Sequence, residues 1–238
     1  MPDIPRAVQL MWGLDQPGTR GPRRGLTLDQ VLDAAIRIAD AEGIAALSMS
    51  RLAKSLGFTT MSVYRYVDSK EMLIELLSDR VIGPPPTIDP GLSWRKALEA
   101  WASAELEAIF AHPWFLDIPL STPPSGPNNM AWLEAGLQTL AATGVPSPIR
   151  FQLVANVSLY VIGRARVMRE MLASLPEEDG SYPAMLATLL DPEKFPALTE
   201  ALAEQMFETE EVSWEEADFR FGLDRLLDGY ERYVERYR

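Results

Sequence analysis

The segment Thr60-Met61-Ser62-Val63-Tyr64-Arg65-Tyr66 gathers hydroxyl donors and acceptors, a methyl-bearing thioether and a guanidinium on a few consecutive residues. That set suits base edges in a DNA major groove and the phosphates beside them. Val63 and Val67 are left for a core, and Phe58 is expected there too. The preceding residues 50–56 read as a compact amphipathic helix with Leu52, Ala53 and Leu56 on its buried side. Gly57 supplies the backbone freedom of a sharp turn. A second helix is expected over residues 59–66, exposing Thr60, Met61, Ser62, Tyr64, Arg65 and Tyr66. The pair predicts a helix-turn-helix, although a plain helical hairpin carries similar spacing.

Little else in the chain points to chemistry. There is no Cys and a single His, His112, so a disulfide framework, a thiolate site and a His-rich metal centre are all excluded. His112, just before Pro113, reads as a structural or helix-terminal residue. Glu177-Glu178-Asp179 sits beside Gly180 and reads as solvated surface. No Gly-rich phosphate loop, Ser/His/Asp order or His-Glu pairing occurs. No catalytic residue, metal or cofactor is therefore expected.

The elements that must hold the segment are legible. Thr27-Leu28-Asp29-Gln30 has the form of a capping box opening a helix. Val31, Ala35, Ile38 and Ala39 give that helix an apolar face, Gly43 ends it, and Leu47 closes a small core. Asp68 and Glu71 are expected to cap a further helix bearing Met72, Leu73, Leu76 and Leu77. Gly83-Pro84-Pro85-Pro86 stops any helix and marks a domain boundary. Residues 1–26, rich in Pro, Gly and Arg, read as a flexible basic arm, either one whose Arg20, Arg23 and Arg24 contact phosphates or the minor groove or a disordered tail without a role. Beyond residue 90 the periodicity is helical throughout. Helices are expected over 94–111, from Asn128 or Asn129 to about 142, over 148–175, within 183–190 and 196–208, and over 214–234. Glu177 to Tyr182 reads as a polar loop. No alternating strand pattern and no internal repeat is present. The fold class is all-α: a helix-turn-helix unit over 27–83 and a larger helical body over 84–238.

Charge is distributed in a way that fits nucleic acid. The net charge is -12. Residues 1–82 hold 10 basic and 10 acidic side chains, and residues 20–70 hold 8 against 5. The whole excess lies in the body, with 12 basic and 24 acidic. A locally basic head on an acidic body binds DNA by the head alone. The composition, 47% hydrophobic, supports a full core. No secretory signal is visible, and the most apolar stretch, residues 151–163, is too short and polar to span a bilayer. A soluble cytoplasmic protein is expected.

The head resembles the DNA-binding domain of the TetR (tetracycline-repressor-like) family of transcriptional regulators. The matching residues are Ala34-Ala35, Ala39 and Glu42-Gly43, then Ser48-Met49-Ser50-Arg51-Leu52-Ala53 and Gly57-Phe58. They continue through Val63-Tyr64-Arg65-Tyr66-Val67 and Ser69-Lys70-Glu71-Met72-Leu73. Later signals resemble the tetracycline-repressor-like C-terminal domain. These are Trp94, His112-Pro113-Trp114, Gly126-Pro127-Asn128, Leu133-Glu134-Ala135 and the run from Phe221 to Gly229. The resemblance implies DNA contacts at Ser48, Ser50, Arg51, Thr60, Met61, Ser62, Tyr64, Arg65, Tyr66 and Lys70. It also implies dimerisation through a four-helix bundle, two helices from each chain. Tetracycline-binding members have a metal-holding His where Pro119 stands here, so the resemblance favours a metal-free organic effector.

The residues allow a cavity for such an effector among the helices at 94–111, 128–142 and 148–175. Trp101, Phe110, Trp132, Asn156 and Tyr160 are its candidate lining, each with an alternative as core. Asn156 draws notice as an amide in an apolar run, one turn before Tyr160. Val154, Leu159, Val161 and Ile162 nearly encircle one helix. Phe219, Phe221, Leu223, Leu226, Leu227 and Tyr230 cover much of another. Helices apolar all round are buried all round, which favours a homodimer. The reading is a homodimeric transcriptional repressor on a palindromic double-stranded DNA operator, released by a small hydrophobic effector, with no membrane partner. The alternatives are an all-α enzyme or small-molecule-binding protein without regulatory DNA binding, and a dimer without an effector.

Overall fold

The computed structural model describes residues 4–14, 25–119, 123–174, 181–204 and 214–237. Arg20, Arg23, Arg24 and the Glu177-Glu178-Asp179 run lie outside them, and so does the polar loop but for its last two residues, which begin a helix. Among the described residues the secondary structure is helical, with no strand.

The head is built as its sequence dictates. Helix α2, Leu28–Glu42, opens on the capping box: the Gln30 backbone N–H donates to Thr27 Oγ1 (3.2 Å), and the Thr27 N–H donates to Gln30 Oε1 (2.9 Å). Its buried face is Val31, Leu32, Ala34, Ala35, Ile38 and Ala39. A 3-10 turn at Ile44–Ala46 delivers Leu47 to the core. Helix α3, Met49–Leu56, starts at Ser48, whose hydroxyl accepts from the Arg51 N–H. Gly57 turns left-handed at φ +74°, and α4, Thr60–Tyr64, follows with Thr59 as its N-cap. Helix α5, Lys70–Ile82, is capped by the Ser69 hydroxyl rather than by Asp68. Asp68 instead pairs with Arg6.

Three local expectations change. The recognition helix ends at Tyr64, two residues earlier than expected. Tyr66 therefore folds back against the core, and its hydroxyl donates to the Leu26 carbonyl. Phe58 stays 40% exposed, because the turn at Gly57 carries it outward, where its ring neighbours Gly25. The expected arm is also ordered in part. Residues Arg6–Met11 form a helix, α1, with Ala7 buried and Leu10 and Met11 packed on the head core.

The body comprises α6 (Trp94–Ala111), α7 (Pro127–Thr139), α8 (Ser147–Ser174), α9 (Ser181–Leu189), α10 (Pro196–Ala203) and α11 (Trp214–Val234). Leu98, Trp101, Ile109, Leu140, Val157, Val161 and Leu227 form its fully buried centre. Helix α7 is capped by Gly126, not by an Asn. Asn128 and Asn129 are engaged elsewhere, on Asp79 of α5.

Asp79 is buried, and its carboxylate accepts from all four donors of that Asn pair. Oδ1 takes the Asn129 N–H (2.9 Å) and Nδ2 (2.8 Å); Oδ2 takes the Asn128 N–H (3.3 Å) and Nδ2 (3.2 Å). A charged acceptor on backbone N–H groups in the first turn of a helix is doubly favourable. Gly126 makes the approach possible: a Cβ there would stand 2.2 Å from Asp79 Cγ. The last helix of the head and the N-terminus of α7 are thereby pinned together. A second link joins head and body at Asp40, which accepts from His112 Nδ1 (2.7 Å) and Trp114 Nε1 (2.6 Å). The Trp114 ring itself lies in the head core.

Candidate nucleic-acid interface and effector core

The head presents one cluster of unburied polar and basic side chains. Ser48, Ser50 and Arg51 are exposed on α3, as are Met61, Tyr64 and Arg65 on and after α4. Met61 is 74% exposed, the most exposed of the large apolar side chains described. Thr60, Ser62 and Lys70 are partly exposed. Arg51 is paired with Glu42, so its guanidinium is held in place rather than free. Ser50, Arg51, Lys54 and Ser55 line one open hollow beside it. Lys54 was missed by the sequence reading. It falls three residues after Arg51 and four after Ser50, and that helical spacing was the available signal. Tyr66 leaves this set, since its ring and hydroxyl are used within the head. Arg23 and Arg24 belong to the undescribed stretch.

The five candidate effector residues do not share one place. Trp101 and Trp132 meet edge to face, centroids 6.0 Å apart at 67°. Their indole N–H groups are satisfied by the Trp132 carbonyl (3.0 Å) and the Gly83 carbonyl (2.9 Å). Phe110 is half-buried against the same core. Asn156 and Tyr160 turn towards α11 instead. Asn156 is exposed, so it is not the buried amide that its apolar surroundings suggested, and the nearby Tyr230 hydroxyl donates to the Leu153 carbonyl (3.1 Å). Tyr160 stacks on Phe219 at 5.7 Å and donates to the Phe219 carbonyl (2.8 Å). Its hydroxyl lies 2.3 Å from where a Cβ of Gly222 would stand, so Gly222 is what lets α8 and α11 close together there.

The body's most unusual polar group is Glu105 on α6. It is buried, and Ser158 Oγ of α8 donates to its Oε1 at 2.5 Å. Its Oε2 has no hydrogen-bond partner. Burial pushes the carboxyl up to about 7, with the Ser158 hydrogen bond opposing. The sequence reading passed over it as an ordinary helix Glu. The signal was its register: Leu98, Trp101, Ala102 and Ile109 are buried, and position 105 continues that stripe.

This shift fixes a pH dependence. The folded chain holds the Glu105 proton more tightly than the unfolded chain does. Between the ordinary value of 4.5 and about 7, unfolding therefore releases a proton. Stability falls as pH rises through that window and levels off above it. The expected loss is about 3 kcal/mol. Glu105→Gln should flatten this part of the curve, read from urea melts at several pH values. Parallel curves for the two proteins would contradict the burial argument.

Comparison with known proteins now assigns the fold. The model for bacterial regulatory proteins of the tetR family matches residues 31–77, and that for the tetracyclin repressor-like C-terminal domain matches residues 86–234. The transcriptional repressor DrrR1 of Streptomyces coeruleorubidus is 37% identical over 98% of this chain and 87% of its own. Apo ActR from Streptomyces coelicolor superposes with a TM-score of 0.75 at 23% identity, covering 91% of this chain and all of that one. ActR in complex with (S)-DNPA superposes at 0.70, with 25% identity over 87% of this chain and 97% of that one. Head, body and their order thus agree along almost the whole length: the chain belongs to the TetR family of transcriptional regulators.

Proposed function

We propose that the protein is a ligand-responsive repressor, working in the cytoplasm as a homodimer on a palindromic DNA operator. The observation that carries the DNA reading is the uncovered surface of α3 and α4. Ser50, Lys54, Met61, Tyr64 and Arg65 project from the head, while Val63 and Val67 hold it from behind. Ser48, Thr60, Ser62 and Lys70 flank that surface. The hydroxyls and cations suit phosphates, Met and Thr methyls suit the thymine methyl, and Lys70 opens a helix where a phosphate is favoured. The ligand reading draws on ActR, a relative in fold bound to a small molecule. Its relation to DrrR1 favours repression.

Dimerisation is argued from α8 and α11. Phe151, Leu159, Val167 and Phe221 are exposed on these helices, with Leu159 at 59% and Phe221 at 62%. Leu227 is wholly buried in the chain's own core, so the pairing surface uses the opposite face of α11. Effector binding in the body then favours a head spacing that no longer fits successive grooves. Helix α5 is the physical route, since it begins at Lys70 in the head and is tied to α7 by Asp79. Among the described residues no helix is long and apolar enough to cross a membrane.

The head makes a separable prediction. Lys70→Ala should weaken operator binding and lower the salt slope by about one charge. Tyr64→Ala should weaken binding too, while changes at Thr60, Met61 or Ser62 should shift sequence preference by about 1–3 kcal/mol at single positions. Binding isotherms at several salt concentrations, with melting curves to confirm folding, measure both. Mutants that bind like wild type would remove this surface from the account.

A further inference from the structure

Glu105 is a poor choice for a seam that only has to pack. Its neighbours along α6, Trp101 and Ile109, are buried, and so are Val154, Val157 and Val161 around Ser158 on α8. An apolar residue at 105 would fill such a place without desolvating a carboxyl. The cations on both helices are committed elsewhere. Arg95 engages Glu99, Asp228 and Glu231; Lys96 engages Glu99. On α8, Arg150 donates to Ser147, Arg164 pairs with Asp218, Arg166 donates to the Leu116 carbonyl, and Arg169 pairs with Asp117. Ser158 satisfies one oxygen and leaves Oε2 with nothing. A buried acceptor without a donor is unfavourable, and a ligand that brings the donor recovers that loss.

We infer that Glu105, with Ser158 beside it, is the polar anchor of the effector site, and that it selects an effector with a protonated amine on an apolar body. This inference rests on the ligand-responsive reading and names the chemistry of the ligand. An ammonium group supplies both the donor that Oε2 lacks and the counter-charge that the burial withholds. A neutral alcohol supplies only the donor. A carboxylic acid sets a second acid against the first and is rejected. The α6 and α8 side chains named above are packed together and almost wholly buried, so the apolar remainder of the ligand enters only by parting α6 from α8.

The test uses one skeleton in three forms: 2-(naphthalen-2-yl)ethylamine, 2-(naphthalen-2-yl)ethanol and naphthalen-2-ylacetic acid. Calorimetry on the full chain at about pH 7.5, where all three charge states are distinct, measures each affinity. The amine should bind the wild type at least about ten-fold more tightly than the acid, with the alcohol between them. Glu105→Gln should bind amine and alcohol alike. Ser158→Ala, which keeps the carboxyl, should retain the preference for the amine and so guards against a Gln variant that folds poorly. Carbon-13 NMR of the Glu105 carboxyl gives a second readout: the bound amine should move its titration to lower pH. Equal affinities for the three forms, preference for the acid, no amine binding at millimolar concentration, or an unchanged preference in Glu105→Gln each overturns the assignment. Operator binding by the ligand-free wild type is followed in parallel. Its absence would count against the regulator reading itself, whereas operator binding without amine preference overturns only the role of Glu105.

Discussion

Gly126→Ala is expected to cost the protein about 4 kcal/mol, a change at the far end of what single substitutions do. The new methyl would stand 2.2 Å from Asp79 Cγ, so either α7 moves or the carboxylate leaves its place. Moving α7 strains its packing, an overpacking cost of about 1–3 kcal/mol. Moving Asp79 strands a buried charge and four donors, and breaking such an arrangement costs about 3–5 kcal/mol. For a chain of this size the melting temperature should fall by about 10 °C. Asp79→Ala should be comparable in stability. In addition it should uncouple effector from operator, because the tie between α5 and α7 is gone. Differential scanning calorimetry decides the first claim. A Gly126→Ala protein melting with the wild type would show that Asp79 is not held as described.

The second large effect belongs to the proposed pairing surface of α8 and α11. Leu159→Glu places a charge on an exposed position of α8, where the isolated chain tolerates it. The charge should split the dimer, since a buried unpaired carboxylate in an apolar interface is strongly unfavourable. Loss of the second head should then lower operator affinity by about 100-fold or more, with every DNA-facing side chain intact. Sizing with light scattering, followed by binding to an operator fragment, separates the two steps. A folded Leu159→Glu protein that remains dimeric would move the interface elsewhere.

The features legible in the sequence were those governed by local rules. The capping box at Thr27, the stop at Gly83 and the limits of α6 and α11 depend on residues within a turn of each other, and the structure places them as read. The misread features depend on contacts distant in sequence. Tyr66 looked like surface because its partner, the Leu26 carbonyl, is 40 residues away. Asn128 and Asn129 looked like caps because Asp79 is not adjacent. Asn156 sat among apolar residues, yet those residues face two different ways, some into the core and some outward. Glu105 was hidden by its type: a Glu in a helix is usually solvated. Only its register among buried neighbours, and the Ser158 hydroxyl 53 residues on, mark it as special. The division of α3 and α4 into buried Leu52, Ala53 and Val63 and exposed Ser50, Arg51, Met61 and Tyr64 was legible too, because core and surface positions alternate there within a few residues.

The central claim, recognition of DNA by paired heads, is tested most directly by selecting binding sites for the full chain from a random double-stranded DNA pool. The account predicts an enriched motif with two-fold symmetry. Its half-sites should be separated by about one helical turn, and two chains should occupy each site. An enriched pool without symmetry, or no enrichment at all with a folded protein, would contradict it.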